Sequence, residues 1–345
     1  MGMFDFLGLK QENPSGENTE EAIDVGGKVK SEIFVRFEKN PLISPDPDVS
    51  WKSFATFNPA AIFLEGKVHL LYRAQGENKV STFGYASSDD GFTFSDFSSE
   101  PVYIPRAPFE MMTTPGWNSG CEDARITKIN GRLYLTYTAY DGSNPPRVAL
   151  SSISVSDFLD KKWNWTMPKL ISPPGVDDKD CCIIEKAKGA GLVAFHRLGN
   201  VIWLDSLRDL NFPREKYLTG GIMAQARPDF WDNVKIGIAS PPIETPRGWL
   251  LFYHAVSNPG FVYKIGAMLL DFDDPRIILM RSTHPLLEPQ MQYEKEGQVA
   301  NIVFSCGAVV LNNTVFLYYG GGDKVVCLAT MGLTSVLDSL ERFRA

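Results

Sequence analysis

NPAAIFLEGKVHLLYRAQ (58–75) is one of five versions of a single phrase: a small or apolar strand, a turn carrying Gly or Asn, and an aromatic-rich strand with a polar ending. The others are EDARITKINGRLYLTYTAYDG (122–142), KDCCIIEKAKGAGLVAFHR (179–197), ASPPIETPRGWLLFYHAV (239–256) and SCGAVVLNNTVFLYYGGGD (305–323). Self-similarity at a steady period marks a repeat architecture, and a spacing of roughly 60 residues is a little longer than a typical propeller blade. The phrases predict an all-β fold, a five-bladed β-propeller with one blade per copy and outer strands in the gaps between copies.

A structural repeat needs the same packing residues in each copy, yet the polar endings change: Arg73 and Gln75, Tyr140 and Asp141, His196 and Arg197, His254, and Asp323. Packing gives no reason for that variation. Radial symmetry would bring these endings to one end of a central channel, and polar groups converging in a concave space are the expected mark of a binding site.

Of the 345 residues, 44% are apolar and 12% aromatic, and 29 Gly and 23 Pro accompany them. This composition suits many short strands and tight turns in one large domain. No apolar run approaches the roughly 18 residues needed to span a membrane. A net charge of −7 without a basic run argues against a nucleic-acid surface, which needs Lys and Arg to replace counterions. Five Cys without framework spacing read as reduced thiols. The start, MGMFDFLGLKQENPSG, lacks a cationic segment followed by a long apolar one, and Phe6 stands where myristoylation wants Ser or Thr; a cytoplasmic location is expected. The stretch 11–28 is polar and Gly-bearing, so residues 1–28 read as a mobile tail and 29–345 as one propeller domain.

Between the phrases, residues 82–87 and SSDDGFTF (87–94) read as strand, tight turn and strand around Asp90-Gly91. The same stretch fits a box of Ser87, Asp89, Gly91, Thr93 and Phe94 seen in several propellers, read here as a fold-stabilising turn. GLTSVLDSLERFRA (332–345) puts Leu333, Val336, Leu337, Leu340 and Phe343 on one helical face behind Thr334 or Ser335 as cap. That helix is expected on the propeller's outside, with a homo-oligomer contact as the open alternative.

Several chemistries can be set aside. Only four His are present and none forms HExxH, so a zinc hydrolase lacks its ligands. There is no GxSxG, no GxxxxGK[ST], and Gly320-Gly321-Gly322 leads to another strand instead of a helix. Carboxylates with cations remain, which suits glycosyl transfer. Glu122-Asp123-Ala124-Arg125 is the sharpest candidate, because an acid beside an Arg that sets its ionisation is what a general acid needs; a turn acid paired with Arg125 is the structural alternative.

FNPAA with LYRAQ, GCEDARI with YLTYTAYDG, FHR, KIGIASPPIETPRGWLLFYHAV, YKIGAMLLDFDDP and VFSCGAVV with YYGGGD resemble glycoside hydrolase family 130, the β-mannoside phosphorylases and related enzymes on a five-bladed propeller. The resemblance spans about 51–330. Ala124 stands where the family often has Pro. The resemblance implies Asp123 as the catalytic acid and Arg197, Lys235 and His254, with Tyr263 nearby, as the phosphate set. It implies that Asn58, Arg73 and Asp323 hold the sugar at the cleaved bond, with Glu122 next in line as acid and Arg147 as the alternative to Arg197.

The activity it implies is reversible, inverting phosphorolysis of a β-mannoside to α-mannose 1-phosphate, with inorganic phosphate as a substrate and no metal or organic cofactor. An inverting hydrolase needs a second carboxylate to activate water, whereas a phosphate nucleophile needs cations instead. The rival readings are a mannosidase of the same family, which lacks the cationic set, and a propeller that only binds glycans or proteins.

Overall fold

The computed structural model describes residues 34–186 and 191–342, all within one unit, Glu32–Ala345. The tail expected at 1–28 and Phe343 lie outside the described residues. The chain begins with β1 (Val35–Arg36) and then builds sheets of four strands in succession. Blade one is β2 (Ala55–Leu64), β3 (Lys67–Gln75), β4 (Val80–Ser88) and β5 (Asp96–Phe97). Blade two is β6 (Ser119–Ile129), β7 (Arg132–Tyr140), β8 (Arg147–Ser154) and β9 (Lys169–Leu170). Blade three is β10 (Asp178–Glu185), β11 (Leu192–Leu198), β12 (Val201–Leu207) and β13 (Gly221–Ala224).

Blade four has its first strand in two pieces, β14 (Lys235–Ile238) and β15 (Ile243–Thr245), both paired with β16 (Gly248–Ser257), followed by β17 (Val262–Leu270) and β18 (Ile278–Arg281). Pro241 and Pro242 cause the interruption, since neither can donate to a ladder. Blade five is β19 (Val303–Leu311), β20 (Thr314–Gly321) and β21 (Val325–Gly332), and its outer strand is β1. Val35 and Arg36 pair with Thr330 and Ala329, so the last blade is completed by chain that precedes the first phrase. The result is a five-bladed β-propeller.

The five phrases are the first two strands of the five blades. Their turns explain the spacing: Glu65-Gly66, Asn130-Gly131 and Asn312-Asn313 all have positive φ at both residues, the two-residue geometry that matches strand twist. Five apolar clusters fill the five gaps between neighbouring blades. Leu71 and Leu135 share the first, Leu150 and Ile183 the second, Phe195 and Tyr253 the third, Phe252 and Leu317 the fourth, and Leu70 and Tyr318 the last, between blades five and one. Each such buried side chain contributes about 1.5–3 kcal/mol relative to exposure. The inner strand β2 lies beside β6 and β19, and β10 beside β6 and β14. β4 and β6 also touch in parallel through Val80–Ser119 and Ser81–Gly120. Gly120, at φ +110, is needed there because any side chain would collide with the Ser81 backbone.

Two local expectations change. SSDDGFTF does not turn back into a full strand; Asp90 Oδ1 accepts from the N–H groups of Phe92 and Thr93, and pairing with β4 resumes only at Asp96–Phe97. The reason is packing, because Phe92 and Phe94 turn inward onto Phe316 and Tyr318 of blade five. The C-terminal helix, Leu333–Arg342, starts one residue before Thr334 and two before Ser335, so neither caps it. Thr334 instead meets the Asn313 side chain. Val336, Leu337 and Leu340 are buried in the cluster shared by blades four and five. No helix among the described residues is long and apolar enough to cross a membrane.

Candidate active site

Three inner strands carry the same irregularity at the same place. The register slips between Phe57 and Ala60 in β2, between Glu122 and Arg125 in β6, and between Lys179 and Cys182 in β10. Inside each slip one residue takes the left-handed conformation: Asn58 at φ 45, Asp123 at φ 51 and Asp180 at φ 55. Asn and Asp tolerate that region better than other side chains, and a bulge re-aims the side chain it carries. The three side chains line a single cavity of about 430 Å³.

On the acidic wall, Asp123 Oδ1 accepts from Asn58 Nδ2 at 3.0 Å and from Arg73 Nη1 at 3.2 Å. Arg73 is buried, donates from Nη2 to Glu122 Oε1 at 2.6 Å and from Nε to Ser81 Oγ at 2.9 Å, and lies 4.7 Å over the Phe57 ring. Three carboxyls therefore crowd one guanidinium. Burial and the neighbouring Asp123 and Glu122 push the Asp323 carboxyl up to about 7, against the pull of Arg73. Burial also raises Glu122, opposed by Arg73.

The opposite wall is cationic and is organised around Asp180. Arg197 donates from Nε to Asp180 Oδ2 at 2.6 Å and from Nη1 to the Gly199 carbonyl at 2.7 Å. His254 Nε2 stands 3.4 Å from the same Asp180 oxygen, while its Nδ1 is buried with no hydrogen-bond partner among the described residues. Lys235 Nζ sits 4.9 Å above the Tyr263 ring, and burial together with Arg197 lowers its pKa. Burial lowers His254 as well, with Asp180 opposing. Burial would raise Asp180, but Arg197, His254 and Arg125 outweigh it and hold the carboxyl well below its ordinary range.

All eight residues singled out from the sequence, Asp123, Arg197, Lys235, His254, Tyr263, Asn58, Arg73 and Asp323, line this cavity. Arg147 does not; its guanidinium donates to the Ser172 carbonyl and lies 5.4 Å from the Tyr217 ring. Three of the variable strand endings also turn elsewhere. His196 is buried against Asp178 at 2.9 Å, Gln75 donates to Ser81, and Asp141 accepts from the N–H groups of its own loop. Alternation explains the first, since His196 and Arg197 are successive strand residues on opposite faces. Sequence reading passed over Asp180, Lys179, Asn118 and Gln298, which also line the cavity. The signal for Asp180 was available: aligning the phrases FNPA, EDAR and KDCC puts Asn58, Asp123 and Asp180 in one column.

The cavity sets an acid wall against a cationic wall, an arrangement that suits an enzyme of glycosyl transfer. The sequence profile of glycoside hydrolase family 130, described as beta-1,4-mannooligosaccharide phosphorylase, matches residues 31–342, and the chain belongs to this family. Beta-1,2-mannobiose phosphorylase of Thermoanaerobacter sp. (strain X514) is 36% identical over 309 residues, 86% of this chain and 96% of that protein. The solved beta-1,2-mannobiose phosphorylase from Listeria innocua, in complex with beta-1,2-mannobiose, superposes with a TM-score of 0.74 at 26% identity, covering 90% of this chain and 99% of the other. Another solved structure, TM-score 0.73 and 26% identical over 87% of this chain and 94% of its own, is described with the statement that the family of mannoside phosphorylases contains glycoside hydrolases targeting beta-1,2 mannosidic linkages in Candida mannan.

Proposed function

We propose that the enzyme reversibly phosphorolyses a β-1,2-linked mannoside with inversion, releasing α-mannose 1-phosphate and a shortened acceptor. The names of its relatives support the substrate class. The observation that carries the reaction type is the placing of Asp123 across one cavity from Arg197, Lys235, His254 and Tyr263. In this reading Arg197 and Lys235 hold hydrogen phosphate, Arg197 through its Nη2 edge and Lys235 as a point charge. A phosphate oxygen attacks the anomeric carbon as the bond to the acceptor oxygen breaks. Asp123 protonates that oxygen, directly or through a sugar hydroxyl, and the proton of hydrogen phosphate restores the acid. No water is consumed, and the reaction draws on no metal or organic cofactor.

Glu122 and Asp180 are poor bases for water activation in this reading, because each already has a guanidinium partner at 2.6 Å. Arg73, Asn58 and Asp323 orient the mannosyl unit beside Asp123. The test is product analysis on a β-1,2-manno-oligosaccharide with and without phosphate. Mannose 1-phosphate should form only with phosphate present, and equal release of free mannose in both arms would replace the phosphorylase by a mannosidase.

A further inference from the structure

Asp180 has no role in the chemistry just described, yet it is the most connected side chain of the cationic wall. It is 2% exposed and receives Arg197 from its own blade, His254 from blade four, and Arg125 Nη2 at 3.2 Å from blade two. Arg125 is itself buried and donates to the carbonyls of Asp123 (2.8 Å), Ile238 (2.6 Å) and Ala239 (3.1 Å). One carboxylate thus joins the bulge that carries Asp123 to the strand of Lys235 and to two groups of the cationic wall. Gly237 makes room for it: a side chain at that position would collide with both the Asp180 carboxylate and His254 Nε2.

We propose that Asp180 is a positioning residue for phosphate: it fixes Arg197 through Nε and His254 through Nε2, so that the outer guanidinium edge and the unpartnered Nδ1 are presented to the anion. The inference rests on the phosphorylase reading. With Nε and Nη1 of Arg197 committed to Asp180 and Gly199, Nη2 is the edge left for a ligand among the described residues. With Asp180 ionised, Nε2 of His254 carries the hydrogen that faces it, which leaves Nδ1 as an acceptor for the proton of hydrogen phosphate. Positioning and plain electrostatics then predict opposite signs. Taking a negative charge out of an anion pocket should tighten phosphate binding, whereas releasing Arg197 and His254 should weaken it.

The experiment is calorimetric titration of the full-length protein with inorganic phosphate, paired with steady-state kinetics. Asp180→Asn keeps the volume and suits the backbone, since Asn58 already occupies the matching bulge at φ 45. Gly237→Ala leaves every charge in place and displaces the carboxylate and imidazole. Asp180→Asn should weaken phosphate binding by about 10-fold or more, and Gly237→Ala by about 5-fold or more. Both should raise the phosphate KM while leaving the sugar KM near the wild-type value. Unchanged or tighter phosphate binding in a folded Asp180→Asn variant overturns the positioning role and leaves the phosphorylase reading standing. Should that variant fail to fold, Gly237→Ala decides on the same criterion. Absence of phosphate binding and phosphorolysis in the wild type removes the phosphorylase reading, and this inference with it.

Discussion

Replacing Asp323 by Asn tests the electrostatics of the acidic wall. Asp323 sits at φ 50 in the turn after β20, a conformation that Asn also accepts, and the change removes one carboxyl from the three around Arg73. Raising a carboxyl from its ordinary 3.8 to about 7 makes its ionisation in the folded state costlier by about 4 kcal/mol. Asp323 is only partly buried, so solvent screening reduces this to roughly 2 kcal/mol. The sign follows from proton linkage. The folded value lies above the unfolded one, so the folded protein holds the extra proton; its stabilising contribution is complete below about 3.8 and is lost as the pH rises through about 7. Wild-type stability should therefore fall between pH 4.5 and 8 by about 2 kcal/mol more than that of Asp323→Asn. Urea unfolding followed by tryptophan fluorescence at several pH values measures the difference. Parallel curves, with the gap between the two proteins independent of pH, would refute the claim that Asp123, Glu122 and burial together keep Asp323 protonated near neutrality.

Asp123→Asn keeps the size of the side chain and removes the transferable proton, so phosphorolysis should drop by about 10²–10⁴-fold while the melting curve stays close to wild type. A folded variant with near wild-type turnover would pass the role of acid to Glu122. Lys235→Ala removes a point charge from the cationic wall and should raise the phosphate KM by about 10- to 150-fold, the equivalent of about 1.5–3 kcal/mol. The acceptor-sugar KM should hardly move, and kinetics in which the sugar KM rises instead would place Lys235 against the sugar.

What the linear chain determined is the part of this protein that repeats. Alternating apolar strands, two-residue turns such as Asn130-Gly131 and aromatic second strands recur because every blade must bury the same faces. That periodicity was enough for the propeller, its blade number and the end of each blade at which polar residues vary. The roles of Asp123, Lys235 and His254 came instead from the resemblance of their motifs to a known family; Asp123 and His254 fall within a phrase, while Lys235 precedes one.

Three things were decided only in three dimensions. Ring closure pairs Val35 and Arg36 with β21, contacts between chain ends that leave no local pattern. The choice of Arg197 over its alternative Arg147 depends on which of them faces the cavity, and Arg147 is held instead by the Ser172 carbonyl and the Tyr217 ring. Asp180 is the clearest case: aligned phrases place it in one column with Asn58 and Asp123, but its counter-charges, Arg125, Arg197 and His254, arrive from three different blades. A buried charge is defined by partners distant in sequence, because only the tertiary fold removes water and brings the counter-charges to it.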